Sequence, residues 1–228
     1  AKTRQQVVII NYTGRKGGGA LDAYEIAQAL VNLGECVIPI ISSDIENLWM
    51  WKNIPFEKLI VIDTYSSKLS YVLNSLTFPF TAQKTILKEI NGYEIKMVFC
   101  PMIALWTDRI NALFKNAPIV IANHDPTPHS GSSWFDPMKF RDPYKRADLI
   151  VVHSRKFVDY VSEHYGKAVY LPLGRHNLYK NMENKVKIVE YDPTKVSFLF
   201  FGRIEDYKGL VLDKNVPFVV IAAGPSLA

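Results

Sequence analysis

Apolar runs rich in valine and isoleucine recur along the chain as QQVVIINY, CVIPIIS, KLIVIDT, MVFCPMI, PIVIANH, ADLIVVHS, AVYLPL and VSFLFFG. They lack polar alternation, which is the mark of strands buried on both faces. Helical patterns lie between several of them. ALDAYEIAQALVNLG sets Leu21, Ile26, Ala29, Leu30 and Leu33 near a 3.6 period and closes at Gly34, a residue suited to a C-terminal cap. TAQKTILKEING, LWTDRINALFKN and RKFVDYVSEHYG predict further helices. Strand and helix in alternation predict an α/β fold built on a doubly wound parallel sheet with right-handed crossovers. One break is visible: KNMENKVKIVEYDPTK is polar, charged and poor in core residues. The expected organisation is a first domain over residues 1–180, a linker over 181–195, and the incomplete start of a second Rossmann-like domain over 196–228.

Composition sharpens this picture. The chain has 228 residues, more than the roughly 100–150 of a common single domain. Hydrophobic residues make up 48% and charged residues 21%, enough apolar side chains for a sizeable core. Cys36 and Cys100 fall in apolar runs and read as buried, reduced thiols. No apolar stretch reaches the roughly 20 residues of a membrane span, and AKTRQQVVII enters a strand without a signal-peptide core, so a cytoplasmic protein is expected. The net charge of +5 suits polyanions or an anionic membrane surface. The basic residues are scattered, however, and no nucleic-acid motif accompanies them, so nucleic acid is not an expected partner.

Ligands of such sheets bind beyond the carboxyl ends of the strands, which directs attention to three loops. In NYTGRKGGGALDAYE, Gly17, Gly18 and Gly19 lead into a helix whose free N–H groups suit a phosphate or carboxylate. The alternative is a turn tightened for helix packing. The spacing of Gly14, Gly17, Gly18 and Gly19 departs from the dinucleotide fingerprint, and Asp22 stands where its last glycine should be. After PIVIA, the loop NHDPTPHSGSSW presents His124, Asp125 and His129; His124 is either a titratable site residue or a structural hydrogen-bonding group. The prolines deny these three a helical metal-ligand spacing. After VSFLFFG, Arg203 and Lys208 offer a fork and a point charge to a diphosphate, or pair on the surface with Glu205 and Asp206.

These loops together resemble the GT-B glycosyltransferases of the retaining family 4 type, over nearly the whole chain. GRKGGGALDAYEIAQALVNLGECVIPI is similar to the family's first loop, helix and strand, ANHDPTPHSG to its strand-end histidine segment, and FFGRIEDYKGL to the opening of its donor domain. The resemblance implies that Arg203 and Lys208 hold the donor diphosphate, that Gly17, Gly18 and Gly19 face the donor phosphates, and that His124 lies near the reacting sugar as the catalytic-site residue. Asp125 and His129 fall on the acceptor side. The implied reaction moves a sugar from a nucleotide-sugar to a glycan or lipid-linked acceptor with retention, as in polysaccharide biosynthesis, with no cofactor and no metal. No DxD sequence occurs.

Two departures accompany the resemblance. The paired glutamates that grip the family's donor sugar have no counterpart in this sequence, so the chain alone is expected to be inactive. VLDKNV is also too short to hold the crossover helix expected between Leu210 and the run PFVVIAAG. Rival readings are a non-catalytic GT-B-like module that binds a glycan or nucleotide, and a nucleotide-sugar epimerase. The basic, aromatic stretches FPFTAQKTILKEINGYEIK and FDPMKFRDPYKR either form an ordinary solvated surface, the favoured reading, or touch a membrane-associated acceptor in peripheral contact with the inner face of a membrane.

Overall fold

The computed structural model describes residues 4–124, 126 and 144–174. Within them the predicted strands form as β1 (Gln6–Tyr12), β2 (Val37–Ser42), β3 (Ile60–Ile62), β4 (Glu94–Cys100), β5 (Ile119–Asn123), β6 (Leu149–Val152) and β7 (Ala168–Tyr170). All pair in parallel, in the order β3-β2-β1-β4-β5-β6-β7. The helices are α1 (Gly18–Asn32), α2 (Leu48–Trp51), α3 (Lys68–Thr77), α4 (Ala82–Glu89), α5 (Thr107–Asn111) and α6 (Val158–His164), the last preceded by a 3₁₀ turn at Arg155–Phe157. The chain therefore winds one way from β1 to β3, then crosses back and winds the other way from β4 to β7. That reversal places a topological switch between β1 and β4.

Alternation along β1 divides the core between two layers. Val8, Ile10 and Tyr12 pack with Ala20, Ala23, Tyr24 and Ala27 of α1 and Met50 and Trp51 of α2. Val7 and Ile9 pack on the other face with Ala82 and Ile86 of α4, Ile110 of α5 and Val161 of α6. Right-handed crossovers require this split, because each winding direction places its helices on one face. The α/β Rossmann-like architecture read from the sequence is thus present in the described residues.

Proline inside the central run of β2 has a local explanation. The Val37 carbonyl accepts from the Glu57 N–H, so odd positions of β2 turn their backbone polar groups toward β3. The ladder between β2 and β3 begins only at Ile40 opposite Ile60. Pro39 therefore lacks its N–H where no ladder bond is made, the position a proline tolerates in a sheet.

Helix α1 ends as its glycine predicts. Gly34 has φ of +84°, its N–H donates to Val31 O, and the Glu35 N–H donates to Leu30 O, the paired bonds of a Schellman motif. The buried stripe of α1 differs from the predicted one: alanines and Tyr24 face the sheet, Leu21, Ile26 and Leu30 flank it, and Ala29 and Leu33 are exposed. Small residues let the helix axis sit close to the strands, so larger ones are displaced to its sides. Helices α2 and α3 are additions to the sequence reading, and LWTDRINALFKN contributes only the five residues of α5. Both cysteines are free; Cys100 is buried, whereas Cys36, one residue ahead of β2, is only partly so. The predicted linker 181–195, the segment 196–228 and the strand VSFLFFG lie outside the described residues.

Candidate functional site

Parallel strands deliver the ends of β1, β4, β5 and β6 to one edge of the sheet, and the candidate residues collect at the switch point. Gly17 enters α1 with φ of +83°, a conformation that favours glycine. Its N–H donates to Glu46 Oε1 at 2.8 Å, and the Glu46 N–H donates to Arg15 O at 2.9 Å. Asn47 adds a second clamp, donating to Ala20 O while accepting from the Trp51 indole. The helix N-terminus is thus fastened to the loop after β2 by the chain's own carboxylate. Gly18 is exposed with open space beside it. Gly19 is buried, and a Cβ there would stand 2.5 Å from Met102 Sδ and 2.7 Å from Tyr12 Oη.

His124 follows β5 directly, as the sequence predicts, and faces α1 across the edge. Its ring hydrogen-bonds Pro101 O, after β4, through Nε2 at 3.1 Å. A carbonyl only accepts, so the proton sits on Nε2 and Nδ1 holds the lone pair. Nδ1 lies 3.7 Å from Oδ2 of Asp22 on α1, with the two side chains 21% and 13% exposed. Burial holds the His124 pKa below the usual imidazole value; the neighbouring His153 adds to this, and Asp22 and the Pro101 carbonyl oppose it. The ring is therefore neutral near pH 7, with a basic nitrogen beside a carboxylate able to stabilise it once protonated.

A second imidazole completes the group. His153 follows β6, its ring centroid 4.5 Å from that of His124, and its Nδ1 donates to Leu171 O at 2.8 Å. The remaining nitrogen, Nε2, is buried without a hydrogen-bond partner. Each ring is oriented by a backbone carbonyl, which leaves Nδ1 of His124 and Nε2 of His153 outside those two hydrogen bonds. Nearby, Arg15 lies 5.3 Å over the Tyr65 ring and 4.0 Å from Asp44. Burial raises the pKa of the Tyr12 phenol at the end of β1, with Tyr65, Glu46 and Asp22 adding to the effect.

Among the described residues, no group of histidine, cysteine, aspartate and glutamate side chains is arranged to hold a metal ion. The structure brings together Gly17, Gly18, Gly19 and His124 from the sequence-predicted set. Asp125, His129, Arg203 and Lys208 lie outside the described residues. Asp22, His153 and Arg15 lie at the same edge and are candidates that the sequence did not single out for the site. His153 carries the same signal as His124, a histidine immediately after a buried strand, whereas the pairing of Asp22 depends on how α1 packs.

No protein-family model matches the chain, and no curated protein does. Solved structures match by fold. Arabidopsis thaliana UGT89C1 complexed with UDP superposes with a TM-score of 0.50 at 10% identity, over 75% of this chain and 53% of that one. Anabaena Alr3699/HepE in complex with UDP and glucose gives 0.52 at 16% identity, over 90% of this chain and 55% of that one. LpCGTa in complex with UDP gives 0.50 at 10% identity, over 88% and 59%. The chain spans little more than half the length of these structures, and what it shares with them is a Rossmann-like α/β fold.

Proposed function

We propose that this chain is part of a glycosyltransferase that moves a sugar from a nucleotide-sugar to a glycan or lipid-linked acceptor, with retention. The observation that carries the reading is the meeting of an exposed Gly18 at the start of α1 with the His124–Asp22 pair, both at the sheet's switch point. The fold neighbours' complexes with UDP support a uridine nucleotide as donor.

In this reading the departing diphosphate gathers negative charge as the sugar–phosphate bond breaks. Arg203 and Lys208 stabilise that charge, together with the positive end of α1 at Gly18 and Gly19. Glu46 already occupies the Gly17 N–H, so phosphate contact falls on the residues after it. His124 orients a hydroxyl of the transferred sugar or acceptor through Nδ1, and Asp22 stabilises the ring when it takes up a proton. Asp125 and His129 line the acceptor side. No metal takes part.

The test is acceptor-dependent release of UDP from UDP-sugars by the full-length protein, with direct titration of UDP alongside. Arg203→Ala is expected to abolish UDP binding, and His124→Ala to lower kcat by about 100-fold while leaving UDP affinity intact. Nucleotide-sugar turnover without any acceptor would point to an epimerase instead. UDP binding without turnover would indicate a binding module.

A further inference from the structure

Helix α3 wears its apolar residues on the outside. Leu69 and Leu76 are each 70% exposed, and Val72 and Leu73 lie exposed between them, at the i, i+3, i+4, i+7 spacing of a single stripe. Phe80, 80% exposed, extends the stripe into the turn before α4, and Leu87 continues it along that helix. The stripe does not hold α3 in place. Polar contacts and one ring do so: the Asn74 amide donates to Thr64 O at 2.6 Å, Arg109 donates to Ser75 O, and Tyr71 packs edge-on to Tyr65. Ser67 and Ser70 close the N-terminus in a reciprocal capping box.

Charge around the stripe has one sign. On α4, Lys84 and Lys88 are exposed, and the one acid of that helix, Glu89, is bridged by Lys58 at 3.1 Å. Lys84 and Lys88 have no ion-pair partner among the described residues. Beside them an open groove of about 550 Å³ runs between the α3–α4 turn and α5, its wall formed by Phe78, Pro79 and Leu87 and its rim by Lys115.

We infer that the α3–α4 face docks on an anionic lipid bilayer. An apolar stripe flanked by lysines is the arrangement of an interfacial helix, whose side chains enter the acyl boundary while its cations meet anionic headgroups. The ten residues of α3 are far too few to span a bilayer, so the helix lies in the interface plane. A second copy fits less well, since a two-fold contact through this face would set like charges against each other. Residues 175–228 carry more basic than acidic side chains and do not complement the face either. The inference does not rest on sugar transfer.

Co-sedimentation of the full chain with phosphatidylcholine vesicles, with and without about one-third phosphatidylglycerol, tests it. Binding is expected only to the anionic vesicles and weakens with added salt. Combined L69S, L73S, L76S and F80S substitutions are expected to reduce the partition coefficient at least tenfold. Lys84→Gln and Lys88→Gln each reduce it about fivefold. Unchanged thermal unfolding confirms that the variants fold. The inference is overturned if the wild type ignores anionic vesicles, binds neutral ones equally, or binds as well after the substitutions. A dimer in light scattering that the leucine variant dissociates also overturns it, assigning the face to a second copy.

Discussion

Helices α1 and α3 are both amphipathic, yet they use their apolar faces in opposite ways. The α1 stripe is built from alanine and Tyr24, is buried against β1 and β2, and leaves Leu33 in water. The α3 stripe is built from leucine and valine and is exposed along its length. The larger side chains of α3 thus lie on an exposed face, and the smaller ones of α1 in the core. Burial in this protein is decided by how closely a helix must approach the sheet, and an apolar period alone does not reveal which face turns inward.

Four measurements would sharpen or break that contrast. The largest expected effect is at the layer behind α1. Trp51 is fully buried, edge-on to Tyr24 at 5.8 Å, and donates its indole N–H to Asn47; Trp51→Ala is expected to cost about 3–5 kcal/mol in chemical denaturation. Next comes the end of α1, where Gly34→Ala must place a Cβ at φ of +84° and should cost about 1–2 kcal/mol by the same assay.

The third concerns the contact α1 makes with the sheet edge. Because the folded pKa of His124 is lowered, its share of stability is present above the unfolded value of about 6.5 and is lost as pH falls through the folded value. Thermal unfolding followed downward from neutral pH should show that loss, and His124→Gln should flatten it. The smallest effect belongs to α3: Leu73→Ser is expected to change stability by no more than about 0.5 kcal/mol. A loss as large as that of Trp51→Ala would show that the stripe is a core face after all.

Much of the sheet was legible in the sequence because strands buried on both faces leave continuous valine and isoleucine runs: six of the seven described strands fall within such runs, and β4 starts three residues ahead of its run, at Glu94, where exposed and partly buried positions alternate. Helix α2 was not, since its four residues LWMW offer no period to read. Helix α3 was hidden for a different reason: Ser70, Asn74 and Ser75 interrupt its apolar residues, and its capping box uses a second serine where glutamate or glutamine is usual. At the site, position after a buried strand pointed to His124. Asp22 escaped because its partner lies about a hundred residues away and only the docking of α1 brings them together.

The short outer strands carry a further consequence. Both rims of the described sheet, β3 and β7, are three residues long, and Pro39 withholds a donor where β3 would otherwise lengthen. A sheet with seven parallel strands would ordinarily offer long open rims on which a foreign strand can add. Here each rim presents hardly one turn's worth of pleat, so the fold resists growth into fibrils at the place where parallel sheets are most exposed to it.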